Sequence, residues 1–245
     1  MYEIRQSNDG SLTLYSHEFD ECYHSTKDGA LTEALQKHVI PAFTFCSKPH
    51  LRILDICFGL GINTLATLYH FFHQDRVKSI EIFSPELDRN LLQLLPDFTY
   101  PEQLAPYKEI LLELLRTKRF QSDNITIELF IGNARAYIKS LHAIDVVYQD
   151  AFSPKKNPIL WTVEYFTDIA KLLTDDGILT TYSQATPVRL ALHEVGLKVY
   201  ELKLGSLKPM TIASKKELPL RRIDMETKKM RSCAKPIKDE DIETL

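Results

Sequence analysis

The chain has 245 residues, of which 44% are hydrophobic and 26% charged, as is typical of a soluble globular protein with a sizeable core. Its net charge of -3 does not indicate a nucleic-acid binder, and the absence of a long apolar run excludes a membrane-spanning helix. The N-terminus lacks the apolar centre of a signal peptide. The cysteines show no metal-ligand spacing, which predicts free thiols in a reducing cytoplasm and no metal site: Cys22, Cys46, Cys57 and Cys233.

The first segment of the chain, residues 1–50, precedes the first strongly predicted strand. Within it, the stretch NDGSLTLYS (8–16) predicts a hairpin, because turn residues are followed by alternating apolar residues. The stretch Leu31–Phe45 predicts a helix. We expect residues 1–50 to form an N-terminal extension packed on the core.

From residue 51 onwards, predicted strands alternate with predicted helices. The strands are Leu51–Ile56, Val77–Phe83, Ile125–Ile131, Ile144–Tyr148 and Gly177–Tyr182, with a closing pair at Leu197–Leu202 and Met210–Ala213. The helices are Asn63–Phe72, Ala134–Leu141, Thr162–Leu173 and Pro187–Val195. This alternation predicts an α/β core over residues 51–214, with a mostly parallel sheet covered on both faces.

Two segments depart from the simple alternation. Residues 85–119 insert two leucine-rich helical pieces between consecutive strands, and we expect them to form a small cap. Residues 215–245 form a basic C-terminal tail. Between Lys208 and Lys238 there are ten Lys or Arg residues and three acidic residues. Such a run is typical of a solvated, partly disordered tail, and the alternative is a contact for phosphates.

The turn after the first core strand has the pattern D-x-C-x-G-x-G, in which Asp55, Gly59 and Gly61 precede a helix. Glycines allow a sharp turn and a close approach of the backbone to a ligand. A dinucleotide fingerprint requires a third glycine where Thr64 stands, so the sequence disfavours NAD and FAD.

The next three predicted strands also end in polar residues. Glu81 is expected to accept both ribose hydroxyls of an adenosine. Asn133 is expected to pair with the adenine edge, and Asp150 stands at the end of the fourth strand. Each residue alone is better explained as a turn residue or a helix cap than as a ligand contact. Because ligands bind beyond the carboxyl ends of parallel strands, the set together predicts a nucleoside ligand. This is the ground plan of a Rossmann-like class I S-adenosylmethionine-dependent methyltransferase.

Four stretches carry a more specific resemblance. They are DGSLTLYSHEFDECYHSTKDGALTEA (9–34), LDICFGLGINTL (54–65), DAFSPKKNPILWT (150–162) and TYSQATPVRLALHEVGLKVYE (181–201). Over residues 9–214 the chain resembles the methyltransferase domain of the MnmC family, the tRNA 5-methylaminomethyl-2-thiouridine methyltransferases. This family usually has Gly where Cys57 stands and Asp where Asn133 stands. A cysteine at a position that requires positive φ would be strained.

The resemblance implies S-adenosyl-L-methionine as the cofactor, with Tyr23 reaching its pocket, and methylation of the aminomethyl group of a wobble uridine in tRNA. Some family members are fused to a flavin-dependent oxidase domain. The chain is too short to contain one, so we expect the single-domain form, with a separate enzyme supplying the aminomethyl precursor.

The stretch from Asp150 onwards is the candidate acceptor site. A primary alkylamine has a reference pKa of about 10.4, so it is protonated at neutral pH. A protonated amine has no lone pair with which to attack a methyl group. Asp150 is the candidate to hold this amine beside the cofactor and to take its proton. The other candidate acceptor-site residues are Phe152, Lys155, Lys156, Asn157, Trp161 and Tyr182.

Several of these surrounding residues also have a purely structural explanation. Phe152 and Trp161 can stack on a base, but core anchoring is the better explanation for the tryptophan. Lys155 and Lys156 can meet phosphates or form a solvated loop. The functional alternatives are a small-molecule N-methyltransferase or aminopropyltransferase, and a non-catalytic RNA-binding protein on the same fold.

Overall fold

The structure is a computed structural model that describes residues 2–46 and 48–242. The N-terminal extension begins with a three-stranded antiparallel sheet of β1 (Tyr2–Gln6), β2 (Leu12–Ser16) and β3 (Glu21–Cys22). The predicted hairpin is therefore present. A helical stretch follows, consisting of α1 (Ala30–Glu33), a π-helical turn (Ala34–Val39) and α2 (Ile40–Phe45).

A nine-stranded sheet forms the core of the described chain. Its strands are β4 (His50–Ile56), β5 (Ser79–Glu86), β6 (Arg119–Gln121), β7 (Ile125–Ile131), β8 (Ile144–Gln149), β9 (Leu173–Thr181), β10 (Lys198–Leu202), β11 (Met210–Ser214) and β12 (Arg221–Arg222). The strand order is β12-β10-β11-β9-β8-β4-β5-β7-β6. Neighbouring strands from β9 to β7 pair in parallel, as the sequence predicts, and the outer strands pair antiparallel.

Both faces of this sheet are covered. The helices are α3 (Ile62–Phe72), α4 (Arg89–Leu94), α5 (Lys108–Thr117), α6 (Ala134–Ile138), α7 (Val163–Leu172), α8 (Thr186–Glu194) and α9 (Met225–Arg231). Successive residues of a strand point to opposite faces. Ile53 therefore packs in the cluster that contains α3 residues, and Leu54 packs in the cluster that contains α7 residues.

The predicted helical insertion supplies α4, α5 and two short 3₁₀ turns, and it leads into β6. Its buried leucines, among them Leu91, Leu104 and Leu111, belong to the same hydrophobic cluster as α3. The Tyr100 hydroxyl donates to the carbonyl of Leu60 over 2.9 Å. The insertion thus packs down on the turn between β4 and α3.

The C-terminal segment is not a free tail as far as residue 242. β12 extends the sheet at the edge of β10, and α9 contacts α8. Beyond α9, Arg135 forms a two-armed ion pair with Asp239, and the Val163 amide donates to the Ile237 carbonyl over 2.8 Å. These contacts explain why a charge run that reads as a solvated tail is held against the core.

Strand order reverses between β4 and β8. From β4 the chain builds outward through β5 and β7, and then returns to the other side of β4 at β8. In an open parallel sheet, the carboxyl ends of two such strands flank a crevice in which ligands bind. None of the helices in the described parts of the chain is long and apolar enough to cross a membrane.

Candidate active site

A cleft of about 300 Å³ opens at the carboxyl ends of β4 and β8. It is lined by residues 21–27 and Glu33 of the N-terminal extension, by 57–59 and Asn63 after β4, and by 150–152 and Tyr182 after β8 and β9. The N-terminal extension therefore forms one wall of a cleft whose floor is the sheet. Tyr23, Gly59, Asp150, Phe152 and Tyr182 were all predicted from the sequence as site residues and are brought together here.

The glycine turn after β4 has the backbone conformation that only glycine adopts without strain. Gly59 has φ of 55° and Gly61, which caps α3, has φ of 71°. A methyl group on Gly59 would lie 3.2 Å from the Tyr23 ring, and one on Gly61 would lie 2.8 Å from the Phe58 ring. The turn is thus packed too closely for side chains, and its own N–H groups are used within the protein, since the Gly61 amide donates to the Phe58 carbonyl over 2.8 Å.

Cys57 also has positive φ, at 66°, so the strain expected for a cysteine at this position is present. A left-handed backbone costs a residue with a Cβ about 1–2 kcal/mol, which glycine does not incur. We expect Cys57→Gly to unfold at a higher temperature than Cys57→Ala, with a free energy of unfolding larger by about 1 kcal/mol. Both variants lose the sulfur, so calorimetry of the pair isolates the backbone effect. Equal stability of the two variants would contradict the strain.

The acidic residue at the end of β5 is Glu86, and the prediction that this strand ends at Glu81 is wrong. Glu81 is paired with Arg52 near the start of β4, where its carboxylate contacts the Arg52 guanidinium at 3.2 Å and His50 at 3.1 Å. Glu81 therefore lies towards the amino end of the sheet, away from the cleft. The strand predicted over Val77–Phe83 continues through Pro85 to Glu86.

Glu86 is buried at the carboxyl end of β5, directly beside the glycine turn. Its Oε2 accepts the Gly59 amide over 2.8 Å, and its Oε1 accepts the Asp88 amide over 2.8 Å. Burial raises the pKa of Glu86, while these backbone N–H groups act in the opposite direction. Each carboxylate oxygen retains acceptor capacity, so Glu86 can take the two ribose hydroxyls assigned to Glu81 from the sequence.

Asn133 follows β7 and acts as the N-cap of α6. Its Oδ1 accepts the amides of Arg135, over 2.8 Å, and Ala136, over 3.2 Å. The carbonyl oxygen predicted to meet the adenine amino group is therefore engaged by two backbone donors. The helix-cap alternative describes what this side chain does in the structure.

Two carboxylates, Asp55 and Asp150, share the amide of Asn63. The Asn63 Nδ2 lies 2.8 Å from Asp150 Oδ2 and 3.4 Å from Asp55 Oδ1. Asp55 also accepts the Thr64 hydroxyl over 2.9 Å. Burial raises the pKa of Asp55 to about 8, against the Thr64 hydrogen bond and with a further contribution from Asp150. Asp55 is thus a buried structural acid under the glycine turn.

The pKa of Asp150 is shifted in the opposite direction to that of Asp55. Burial by itself would raise its pKa, but His38, His24 and the Asn63 amide together hold the pKa of Asp150 below its usual range. The His38 Nε2 lies 3.4 Å from Asp150 Oδ1. The sequence does not single out His38, whereas His24 belongs to the Tyr-His-Ser stretch that the family resemblance places at the cofactor pocket. An ionised carboxylate therefore sits at the end of β8 and borders the cleft.

The loop after Asp150 is fixed by buried contacts. Trp161 is fully buried, and its Nε1–H donates to the Phe152 carbonyl over 2.8 Å. Trp161 therefore anchors the loop, which is the role that the sequence favours for it, and the alternative that its ring binds substrate is wrong. The Tyr182 hydroxyl donates to the Ala151 carbonyl over 2.9 Å, which steadies the same loop from β9.

The other predicted acceptor residues lie at the outer side of this loop. The Phe152 ring stacks on Phe19 with centroids 4.4 Å apart. Lys156 forms an ion pair with Asp20 over 2.7 Å, Lys155 is exposed, and Asn157 is half-buried. Phe152 therefore lies at the cleft, whereas the lysines lie on the surface beside it.

The cysteines are all free thiols. Within residues 2–46 and 48–242, no group of three or more His, Cys, Asp or Glu side chains is arranged to hold a metal ion.

The sheet order, the crevice at the strand reversal and the glycine turn define a class I methyltransferase fold. A family model described as S-adenosyl-L-methionine-dependent methyltransferase matches residues 101–216. The chain is also 32% identical to MnmC2 from Aquifex aeolicus. The crystal structure of that protein matches this chain with a TM-score of 0.86, and the match covers 100% of this chain and 81% of that one. The chain therefore belongs to the MnmC-type methyltransferase family, an enzyme family that uses S-adenosyl-L-methionine.

Two curated relatives extend this result. An uncharacterised protein from Methanocaldococcus jannaschii is 34% identical over 97% of this chain and 67% of its own length. The tRNA 5-methylaminomethyl-2-thiouridine biosynthesis bifunctional protein MnmC from Ralstonia nicotianae is 30% identical over 82% of this chain. The match covers 33% of that protein, so the chain spans about a third of the length of this bifunctional relative.

The cleft residues fit S-adenosyl-L-methionine on chemical grounds. Gly59 permits close backbone approach, and Glu86, buried behind this turn rather than among the lining residues, keeps acceptor capacity for ribose hydroxyls. The Asn63 Oδ1 is buried without a hydrogen-bond partner beside the cleft, so an N–H donor is required to satisfy it. An amino group supplies such a donor.

Proposed function

We propose that this protein N-methylates the 5-aminomethyl group of 2-thiouridine at the wobble position of tRNA. The proposal rests chiefly on one observation, the ionised Asp150 carboxylate held at the edge of the cleft by Asn63 and His38. The similarity to MnmC2 and to bifunctional MnmC proteins supports the choice of an aminomethyl group as the acceptor.

Asp150 suits an amine acceptor because it is an anion with its orientation fixed. Both of its oxygens are anchored within the protein, and each retains a lone pair for an N–H of the substrate. The lowered pKa makes Asp150 a weak base, so its main role is to orient the amine, which loses its proton to water. The bound cofactor supplies a methyl group on a positively charged sulfur. Alignment of the amine with that methyl accounts for most of the rate gain.

The aromatic residues at the mouth of the cleft suit an unstacked base. RNA bases displayed in loops are commonly recognised by stacking on aromatic side chains. Phe152 borders the cleft and is backed by Phe19, with Tyr23 4.9 Å from Phe152 by ring centroid. This group of rings provides a surface on which a wobble uridine presents its aminomethyl group to Asp150.

Lys155 is exposed on the loop beside this cleft, and we propose that it contacts phosphates of the tRNA. We expect Lys155→Ala to weaken tRNA binding about three- to tenfold at moderate salt and to reduce the slope of affinity against salt by about one. Filter binding at several salt concentrations measures both quantities. Lys171→Ala, an exposed lysine on α7, is the matched control and should leave both unchanged. Equal effects of the two substitutions would remove Lys155 from the interface.

The decisive experiment is transfer of labelled methyl from S-adenosyl-L-methionine to tRNA that carries 5-aminomethyl-2-thiouridine. Nucleoside mass spectrometry should detect 5-methylaminomethyl-2-thiouridine, and tRNA lacking the aminomethyl group should remain unmodified. Cofactor binding without conversion would reject the wobble uridine and point to a different amine acceptor. Absence of cofactor binding would favour a non-catalytic RNA-binding protein on the same fold.

We also infer the setting in which this reaction takes place. An aminomethyl-uridine substrate has to be produced first, so a separate enzyme that generates this group on tRNA is the expected partner. The free cysteines are in keeping with a reducing compartment, and we propose the cytoplasm.

A further inference from the structure

His38 lies directly beneath the carboxylate on which the proposed reaction depends. It belongs to the π-helical turn Ala34–Val39 and is fully buried. Its Nε2 lies 3.4 Å from Asp150 Oδ1, and its Nδ1 lies 2.8 Å from the Thr180 hydroxyl oxygen. The ring therefore lies between Asp150, which follows β8, and Thr180, the last residue but one of the neighbouring strand β9. A π turn inserts one extra residue into a helix and is often found at functional sites.

The contacts indicate where the ring carries a proton. An unprotonated Nε2 would direct its lone pair at the carboxylate of Asp150, which is repulsive at this separation. An N–H at Nε2 makes the same contact attractive. The Thr180 hydroxyl can serve Nδ1 as donor or acceptor, and it also lies 3.4 Å from the Val147 carbonyl oxygen. At 3.4 Å the His38–Asp150 contact is long for a hydrogen bond, and within residues 2–46 and 48–242 the Nε2 atom has no partner in hydrogen-bond geometry.

We propose that His38 is a positioning residue that keeps Asp150 ionised and aims its carboxylate at the cleft. The inference rests on the proposed function in one respect, that an amine is the group Asp150 holds. Asn63 steadies Oδ2 of the carboxylate, and His38 faces Oδ1. Together they fix the plane of a side chain that would otherwise rotate about its terminal torsion.

The other charged and titratable groups around Asp150 act in both directions. His24, from the segment after β3, adds to the effect of His38, whereas Asp55, from β4, interacts unfavourably with Asp150. Cys57 and Tyr182 are further titratable neighbours of Asp150, both with a raised pKa, and Glu21 and Glu33 line the same cleft. Burial and the nearby Asp55 raise the pKa of Asp150, and His38 lowers it. Removal of His38 should therefore raise the pKa of Asp150.

The test is the pH–rate profile of His38→Gln, a substitution that keeps a polar side chain of similar length. We expect kcat near neutral pH to fall about 10- to 100-fold, and the acid limb of the profile to move up by about one pH unit or more. The loss should be larger at acidic pH, because Asp150 of the variant then also begins to bind a proton. The KM for the cofactor should change less than about threefold. His70→Gln, on the far end of α3, is the matched control and should keep the wild-type profile.

A second measurement does not require the substrate. Chemical denaturation of the wild type, His38→Gln, Asp150→Asn and the double variant gives the coupling between the two side chains. We expect the unfolding equilibrium constants to be non-additive by about tenfold at neutral pH. This cycle separates the inference from the proposed function, since the pairing holds even if the tRNA is not methylated.

Two results would overturn the inference. One is a His38→Gln enzyme that loses activity only in proportion to its stability, with the wild-type pH profile. The other is additive behaviour of the two substitutions in the denaturation cycle. If His38→Gln fails to fold, Thr180→Val replaces it, because this variant frees the other ring nitrogen and should shift the acid limb in the same direction.

Discussion

Replacement of Asp150 by asparagine is expected to lower kcat/KM for methyl transfer to tRNA by about 10²- to 10⁴-fold. Asparagine has nearly the same shape, but it carries no charge and offers an amide where the substrate amine requires an acceptor. The carboxylate contacts with Asn63 and His38 would then hold a neutral group. The measurement is the initial rate on tRNA that carries 5-aminomethyl-2-thiouridine, across the pH range.

Cofactor binding separates this effect from damage to the cleft. Isothermal titration should show affinity for S-adenosyl-L-methionine within about threefold of wild type, since Glu86 and the glycine turn are unaltered. The pH dependence of the wild-type rate is a second test of the role of Asp150. The lowered pKa keeps Asp150 ionised from weakly acidic pH upwards, so wild-type activity should rise with pH as the amine loses its proton. An Asp150→Asn enzyme of near-normal rate would refute the assignment.

Glu86→Gln is expected to weaken binding of S-adenosyl-L-methionine by about 10- to 100-fold, because a hydrogen bond to a charged acceptor contributes about 1.5–3 kcal/mol. The glutamine amide can accept through its oxygen but places an NH₂ group where the carboxylate had a second acceptor. The binding constant is measured by titration, with and without S-adenosylhomocysteine as competitor.

Glu81→Gln is the matched control, with the same substitution on the same strand. It removes the contacts with Arg52 and His50 near the start of β4 and should leave the cofactor affinity unchanged. Thermal unfolding of both variants shows whether loss of the Gly59 contact loosens the turn itself. If Glu81→Gln weakens binding and Glu86→Gln does not, the placement of the site along β5 is wrong.

These two glutamates show what sequence patterns can and cannot place. The parallel core and its strand–helix alternation follow from hydrophobic periodicity, and the boundaries of β7 were predicted without error. The end of β5 was not, because Pro85 lies within the strand, in register with Phe130 of β7. The strand tolerates the missing N–H of proline and continues to Glu86, the acid that we propose for the ribose hydroxyls.

The wall of the site that comes from the N-terminal extension was harder to predict. Tyr23 was assigned through family resemblance, but His38 sits in a stretch that simply reads as an amphipathic helix. Nothing local distinguishes a histidine that contacts Asp150 from one at a solvated surface, since the contact depends on tertiary packing. Trp161 is a buried anchor and Asn133 is a helix cap. The residue type alone does not distinguish these structural roles from contacts with a substrate or with adenine.

The long-range link between the N-terminal extension and the core has a consequence for folding. His38 and Thr180 are 142 positions apart in the chain. During synthesis, which proceeds from the N-terminus, the extension leaves the ribosome well before β8 and β9 exist. Contacts of such high contact order form late, so the sheet should assemble first and the extension should dock on it afterwards. The pocket would then be completed last, and a ligand that bridges both parts would favour the docked state by mass action.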